Sequence, residues 1–344
     1  MLSNPPLCPF RKGRNILSLL FLSFFLISFP SSLRSSTLYQ YRQISMGTVV
    51  EITLIGEDEE TTRKAAMQAF QEIRRIEQRM SPWVDESEVT RINRSAGREW
   101  VRVSPETWEV IKKSQEISEI SEGGFDITIG PLVQLWRKAR EKGIPPSSEE
   151  VKKILPLVNF KDLWVHPEKK VFLKKEGMAI DPGGIAKGYA VDRAFETLSS
   201  LGYKNFIVNA GGDLRVGGLK NYQPWSIGIQ DPRSPEKIMA RVSVSDSAVA
   251  TSGDYEKFFI HQGKRYHHIL HPKSGFPPDG CQSVTILSKD AMMADALATA
   301  VFVLGPDKGF ALCQRLQGVV CLIVNGNGQK ILSSGLKDTI SFSP

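Results

Sequence analysis

A glycine-containing segment in the middle of the chain has the residue types that bind phosphate. Residues 181–194 are DPGGIAKGYAVDRA, and they follow the apolar run GMAI. Gly183 and Gly184 predict a tight turn, with a helix from about Lys187 onward. A helix start offers free N–H groups and a positive dipole end, and the lysine adds charge, so the segment suits a polyanion. An ordinary strand-to-helix connection can have the same sequence, and that interpretation stays open.

A late apolar segment carries a second candidate site. Residues 289–306, KDAMMADALATAVFVLGP, predict a buried helix with Asp290 as its N-cap. Asp295 and Thr299 are four residues apart, so a carboxylate and a hydroxyl share one helix face. Mg²⁺ takes such oxygen ligands and leaves room for phosphate oxygens. The alternative is that a backbone amide satisfies Asp295 and that Thr299 bonds a carbonyl of its own helix.

Two further segments place polar side chains in apolar surroundings. Asp126 lies in FDITIGPLVQLW (125–136), a strand-like run that Gly130-Pro131 is expected to break. Such an acid is either a turn residue or one held for a ligand. YHHILHPKSGFPP (266–278) contains His268, which at a near-neutral pKa could take a proton from a hydroxyl. His267 competes for that role, and either ring could instead be structural.

The elements around these segments alternate between strands and helices. Residues 41–56 predict a strand entered through Met46, and an apolar stripe predicts a helix ending near Met80. Ser104-Pro105 predicts the start of a second long helix. The expected fold class is α+β, with mixed β-sheets and packed helices. We expect two intimately associated lobes with a ligand cleft between them.

Composition limits the functional class. The chain has 344 residues, of which 41% are hydrophobic and 24% charged, enough for one large domain. The net charge is +7, but basic and acidic residues are interleaved along the sequence. That pattern indicates a solvated surface with mild attraction for acidic ligands and argues against a nucleic-acid-binding protein. The four cysteines have no metal-ligand spacing.

The first 36 residues resemble an export signal. Arg11, Lys12 and Arg14 precede the apolar stretch ILSLLFLSFFLISF (16–29), which is short for a membrane span. We therefore predict a signal peptide or N-terminal membrane anchor over residues 1–36 and one enzymatic domain over residues 37–344. The expected location is the periplasm or the outer face of the inner membrane, with membrane association if the signal is not cleaved.

Taken in order, the motifs resemble the ApbE family of FAD:protein FMN transferases. The matching segments are Met46-Gly47-Thr48, SEVTRIN, FDITIGPL with Trp136, DPGGIAKGYAVD, NAGGDL, TSGDY, HILHP-x-x-G and ADALAT with the closing VLG. Each segment is weak alone, but together they span residues 46–305 in the family's order.

The resemblance implies an exported, Mg²⁺-dependent transferase that uses FAD as its substrate. Such an enzyme splits the pyrophosphate, joins FMN through a phosphoester to a Ser or Thr hydroxyl of a partner protein, and releases AMP. The implied partners are redox-protein subunits that carry a Ser/Thr flavinylation motif. Two alternatives stay open: an Mg²⁺-dependent FAD pyrophosphatase giving FMN and AMP, and a non-catalytic periplasmic protein that binds flavin or metal.

The resemblance also implies roles for individual residues. It places the metal ligands at Asp295, Thr299 and the backbone carbonyl of Gly184, and the base for the acceptor hydroxyl at His268. With the metal, Lys187 would neutralise the pyrophosphate, which is the main catalytic need of phosphoryl-type transfer. The implied flavin contacts are Met46, Glu88, Val89, Thr90, Asp126, Lys187 and Leu270.

One position departs from the family pattern. The family's loop has the sequence H-x-x-D-P, whereas this chain has His268-Ile-Leu-His271-Pro272. If the aspartate organises the metal or the loop, the histidine should change the affinity or the pH dependence of the reaction.

Overall fold

The structure, a computed structural model, describes residues 36–343. The predicted signal peptide or anchor therefore lies almost wholly outside the described residues. Within residues 36–343, no helix has both the length and the apolar character needed to cross a bilayer. Residues Ser36–Pro344 form one compact unit, so the two predicted lobes are parts of a single body.

The helices begin and end largely where their capping residues predict. Within the described residues they are α1 (Glu59–Met80), α2 (Glu88–Arg94), α3 (Pro105–Ile120), α4 (Gly130–Lys142), α5 (Ser148–Ile154), α6 (Ala186–Ser200), α7 (Ala291–Leu304) and α8 (Pro306–Arg315). Ser104 caps α3 ahead of Pro105, and Asp290 caps α7 by accepting from the Met293 N–H at 2.8 Å. Both starts confirm the sequence prediction.

The strands form four sheets. They are β1 (Thr37–Ser45), β2 (Thr48–Gly56), β3 (Val101–Arg102), β4 (Leu163–His166), β5 (Lys170–Leu173), β6 (Phe206–Ala210), β7 (Asp213–Gly217), β8 (Trp225–Gln230), β9 (Ile238–Val244), β10 (Ser247–Gly253), β11 (Phe258–His261), β12 (Lys264–His267), β13 (Cys281–Ser288), β14 (Val320–Asn325), β15 (Lys330–Leu332) and β16 (Ile340–Phe342). The largest sheet has eight strands in the order β1-β2-β6-β7-β10-β13-β14-β15. The smaller sheets are β16-β9-β8, β3-β5-β4 and the hairpin β11-β12.

The large sheet is the centre of a layered α+β architecture. Helices α1, α6 and α7 cover one of its faces with the main hydrophobic core, and the sheet β16-β9-β8 covers the other with a second core. Fold class is therefore as predicted. The prediction of mixed sheets was wrong, because all strand pairs within the four described sheets are antiparallel.

Two local predictions were wrong. Residues 41–56 are not one strand but the hairpin β1-β2, which turns at Met46 and Gly47 with φ of 52° and 70°. Residues 125–129 form a turn, and Gly130-Pro131 begins α4 instead of breaking a strand. The β-branched residues favoured a strand there, but a proline at the first turn of a helix costs no hydrogen bond, since that N–H would be free in any case.

Candidate active site

One cavity of about 540 Å³ collects most of the residues that the sequence singled out. Its size is that of an ordinary small-molecule site. Eight of the predicted site residues line it: Met46, Asp126, Gly184, Lys187, His268, Leu270, Asp295 and Thr299. They come from the β1-β2 hairpin, the turn before α4, the glycine turn before α6, the first turn of α6, helix α7 and the loop after β12.

The packing of α6 against α7 determines the position of one end of the cavity, which we call the charged end and which contains Gly184, Lys187, Asp295 and Thr299. Gly188 permits this packing, because a Cβ there would lie 2.2 Å from the Ala291 carbonyl oxygen. One turn later, the Asp192 carboxylate accepts from the N–H groups of Ala291 and Met292, both at 2.9 Å. Burial raises the pKa of Asp192 to about 6, although these two hydrogen bonds act in the opposite direction and lower it. The spacing of Gly188 and Asp192 therefore fixes the first turn of α7 on α6.

Asp295 is the deepest acid of the cavity. It is only 5% exposed, and its Oδ2 accepts from the Gly188 N–H at 3.0 Å. Burial, and then the negative charge of Asp213, raise its pKa to about 7, while Lys187 opposes the shift. One oxygen thus has the backbone partner that the alternative interpretation required, yet the residue also lines the cavity, where a cation would remove the cost of its charge.

Thr299 and Gly184 adjoin Asp295 at the same end. A Cβ built on Gly184 would lie 3.0 Å from Thr299 Oγ1 and 3.2 Å from Phe125 Cε2, so Gly184 lies directly against the threonine. The Ser252 and Thr299 hydroxyl oxygens are 3.4 Å apart. Residues 36–343 contain no group of three or more His, Cys, Asp or Glu arranged for a metal. A set of one carboxylate, one hydroxyl and one carbonyl matches the all-oxygen preference of Mg²⁺, and the buried Asp295, whose raised pKa shows that Lys187 offsets its charge only in part, fits a cation.

Lys187 has a carboxylate partner that the sequence did not reveal. Its Nζ forms an ion pair with Asp213 Oδ2, and Asp213 is 2% exposed at the start of β7. Burial alone would lower the pKa of Lys187, but the charges of Asp213 and Asp295 outweigh it and raise the pKa. The lysine is therefore a fixed cation between two acids.

The backbone of the glycine turn is less available than predicted. The N–H groups of Gly183, Ile185, Ala186 and Gly188 donate to Asp181 Oδ1, the Pro182 carbonyl twice, and Asp295 Oδ2. These four amides do not form the expected phosphate cradle. The segment instead offers the positive charge of Lys187 and glycines whose backbone a ligand can approach closely.

The other end of the cavity is a loop that carries His268 and Leu270. Solvent reaches the His268 side chain, although desolvation, and then the positive charges of Lys257, His267 and Lys187, lower its pKa. The near-neutral pKa expected from the sequence is therefore wrong: the ring is neutral at pH 7, with a free acceptor nitrogen, but it is a weaker base than an ordinary histidine. His267 is 5% exposed, and its Nε2 lies 2.8 Å from the Pro278 carbonyl oxygen, which requires the Nε2–H form. That bond ties His267 to the loop's frame.

The remaining predicted flavin contacts divide into two groups. Asp126 lines the cavity, but its Oδ1 accepts from the Thr128 N–H at 2.8 Å and its Oδ2 from the Phe160 N–H at 2.9 Å. Glu88, Val89 and Thr90 are not among the cavity-lining residues. Glu88 accepts from the Ser104 N–H at 3.0 Å, Val89 is buried, and the Thr90 hydroxyl donates to the Val84 carbonyl. Their contact with a flavin stays a prediction.

Sequence reasoning missed the rim of the cavity. Trp83 lines it with the Arg137 guanidinium 4.2 Å above the centre of its indole, and Arg140 and Lys257 add positive charge. Recognition of α4 as a helix would have placed Arg137 and Arg140, three residues apart, on one face of that helix. The rim is basic and aromatic, which suits an anionic ligand with flat rings.

Comparisons with known proteins agree on one family. A family model described as the ApbE family matches residues 46–323. The chain is 33% identical over 309 residues to an FAD:protein FMN transferase of Klebsiella pneumoniae, which covers 89% of this chain and 94% of the relative. A relative of the same description from Vibrio cholerae is 32% identical and covers 86% and 91%.

Solved structures give the same result. The crystal structure of the ApbE protein of Thermotoga maritima superimposes with a TM-score of 0.82 at 36% identity, covering 88% of this chain and 99% of that one. The flavin transferase ApbE of Vibrio cholerae has a TM-score of 0.77 at 29% identity, covering 89% and 100%.

Proposed function

The chain belongs to the ApbE family, and from this premise we propose that it transfers FMN from FAD to a partner protein. One observation carries the proposal. Gly184, Lys187, Asp295 and Thr299 meet at one end of a single cavity, and His268 opens into the same cavity. The four residues suit a diphosphate with its cation, and His268 suits a hydroxyl that must lose a proton.

We further propose that the charged end holds Mg²⁺. Asp295, Thr299 and the Gly184 carbonyl would supply its protein ligands, and the bound ion would neutralise charge on the diphosphate. Lys187 needs no change of protonation for its part, because it stays cationic between Asp213 and Asp295. Its charge stabilises the oxygens of AMP as that group departs.

The loop end would handle the acceptor. A neutral His268 accepts the proton of a Ser or Thr hydroxyl as the oxygen attacks the flavin-side phosphorus. The new P–O bond joins FMN to the protein, the P–O–P bond breaks, and AMP leaves with the electron pair. Water in place of the protein hydroxyl would give free FMN and AMP from the same groups.

Export is part of the proposal. The basic and apolar pattern of residues 11–29 supports a signal peptide or anchor, which would place the enzyme in the periplasm or on the outer face of the inner membrane. Acceptors would then be redox-protein subunits with a Ser/Thr flavinylation motif in the same compartment.

An assay with FAD, Mg²⁺ and a purified acceptor domain tests this function. The expected result is equimolar release of AMP and appearance of covalent flavin fluorescence on the acceptor in a denaturing gel. A matched acceptor with its Ser/Thr replaced by Ala should stay dark. Release of AMP together with free FMN, without labelled acceptor, would favour the pyrophosphatase. Absence of AMP with both the acceptor and its Ala variant would reject both activities.

A further inference from the structure

The loop of His268 contains His271, the residue at which the sequence departs from the family's H-x-x-D-P pattern. The structure shows what this ring does. Its Nδ1 accepts a hydrogen bond from the Lys273 N–H at 3.1 Å, across the intervening Pro272. An acceptor at one residue that caps the N–H two residues later is the usual role of an Asp or Asn side chain in a turn.

The same contact occurs at both Asp-Pro and both His-Pro pairs of residues 36–343. Its donor and acceptor are Gly183 N and Asp181 Oδ1 at 2.8 Å, Arg233 N and Asp231 Oδ1 at 2.7 Å, Glu168 N and His166 Nδ1 at 3.2 Å, and Lys273 N and His271 Nδ1 at 3.1 Å. Because proline has no N–H, the next backbone donor is two residues on. In this chain a neutral imidazole therefore makes the contact that a carboxylate makes elsewhere.

The turn at His271 fixes the loop from both sides. The His271 N–H donates to the Phe276 carbonyl at 3.0 Å, and the His271 carbonyl accepts from the Gly275 N–H at 2.8 Å. The Gly275 carbonyl in turn accepts from Trp136 Nε1 on α4 at 2.7 Å. Because Leu270 and Pro272, on either side of His271, both line the cavity, the position of this turn sets the cavity wall.

We propose that His271 is a positioning residue for FMN transfer: its neutral imidazole, in place of the family's aspartate, holds the turn that sets His268 and Leu270 in the cavity. This inference rests on the proposed function. His271 need not touch FAD or the acceptor.

The exchange of carboxylate for imidazole changes the sensitivity to acid. An imidazolium carries N–H on both nitrogens and cannot accept from Lys273, whereas a carboxylate remains an acceptor down to about pH 4. The cations facing His271 are Lys273 on its own loop and Lys308 on α8. The groove beside Pro272 and Lys273 also contains the charged residues Glu119, Glu122, Asp126 and Lys161. Desolvation, and then the charges of Lys273 and Lys308, lower the pKa of His271. The hydrogen bond from the Lys273 N–H is therefore intact at pH 7 and is lost only as the pH falls below the ordinary range of histidine.

Two variants of the full chain, His271→Ala and His271→Asp, test the proposal by AMP release. His271→Ala should lower kcat by about three- to tenfold at pH 7.5, the range of one hydrogen bond. His271→Asp should restore most of it, and its activity relative to the parent should be severalfold higher at pH 4.5 than at pH 7.5, because at pH 4.5 the imidazole is protonated and the carboxylate is still an acceptor. Equal loss in both variants, or an activity ratio that does not change with pH, would overturn the proposal.

His166 provides the matched control. It makes the same contact in the β4-β5 hairpin, is exposed, and does not line the cavity. Neither His166→Ala nor His166→Asp should alter kcat or the ratio between the two pH values. A shift of that ratio in His166→Asp would show a general charge effect and would count against a specific role for His271.

A readout independent of activity is the tautomer of the ring. In the full chain with ¹⁵N-labelled histidine, NMR at pH 7.5 should show His271 as the Nε2–H form, with its signal identified by its loss in His271→Ala. An Nδ1–H form would overturn the turn contact. If the parent chain releases no AMP with FAD and Mg²⁺, the proposed function fails, and the NMR result still decides the contact.

Discussion

The two ends of the cavity are held by different means. At the charged end, Asp295 and Thr299 lie on a buried helix, and Gly188 and Asp192 lock that helix against α6 through backbone contacts. At the loop end, His268 and Leu270 depend on turns whose bonds run between a few loop residues and Trp136. The difference indicates that the charged end, where we propose that the diphosphate binds, is preorganised by the core. The loop end, where we propose that the protein acceptor binds, is fixed by a small number of separable contacts.

Asp295→Asn should have the largest effect on activity. We expect kcat/KM to fall at least about a hundredfold, because the variant loses the charge that would hold the cation at the diphosphate. Asp290→Asn on the same helix is the control, since Asp290 caps α7 and does not line the cavity. Near-parental activity of Asp295→Asn at ordinary Mg²⁺ would refute the assignment of the charged end.

The same variant should be more stable without metal. The pKa of Asp295 is raised to about 7 in the folded protein, so the unfolded carboxyl, at its ordinary value, ionises first and the charge disfavours folding at neutral pH. Asparagine removes that penalty, and the melting temperature in EDTA at pH 7.5 should rise by a few degrees. At pH 4, where the folded carboxyl is protonated, the gain should vanish. A lower melting temperature than that of the parent at pH 7.5 would contradict this account.

His268→Ala should have the next largest effect and should test the loop end alone. We expect kcat to fall about a hundredfold, as for removal of a general base, with the Kd for FAD changed little. His261→Ala is the control, because that ring bonds the Gly143 carbonyl and does not line the cavity. An equal loss of FAD binding and of kcat would contradict the base role of His268. It would mean that the loop end, like the charged end, serves to bind FAD.

Local patterns predicted the residues of the charged end but not the contacts that hold them. Four-residue spacing put Asp295 and Thr299 on one helix face, and the glycines predicted the turn at Gly184. The Lys187–Asp213 pair joins residues 26 apart, and Gly188 meets Asp295 across 107 positions, so neither contact has a local signal. The hairpin at Met46 was missed because a methionine with positive φ is rare in such turns.

Gly184→Ala should have an intermediate effect. Its Cβ would press on Thr299 Oγ1 and the Phe125 ring at distances tighter than ordinary contact, so the threonine must shift by a few tenths of an ångström. We expect about a tenfold loss of kcat/KM and a higher Mg²⁺ requirement. Gly280→Ala, where the new Cβ would sit 3.4 Å from Pro306 Cδ, is the control with ordinary packing. An unchanged Mg²⁺ requirement would show that Gly184 is not one of the metal ligands.

Trp83→Ala should have the smallest effect, because Trp83 is 52% exposed at the rim and belongs to neither end. Its partner Arg137 lies over the ring, a contact worth about 0.5–1 kcal/mol at exposed sites. If the pair only helps to capture FAD, KM for FAD should rise about two- to fivefold with kcat unchanged, since binding is then lost equally from substrate and transition state. Trp100→Ala is matched in exposure, at 43%, but stacks on Phe172 away from the cavity and should change neither constant. A fall in kcat for Trp83→Ala would instead mean that the rim helps to align the two ends during transfer.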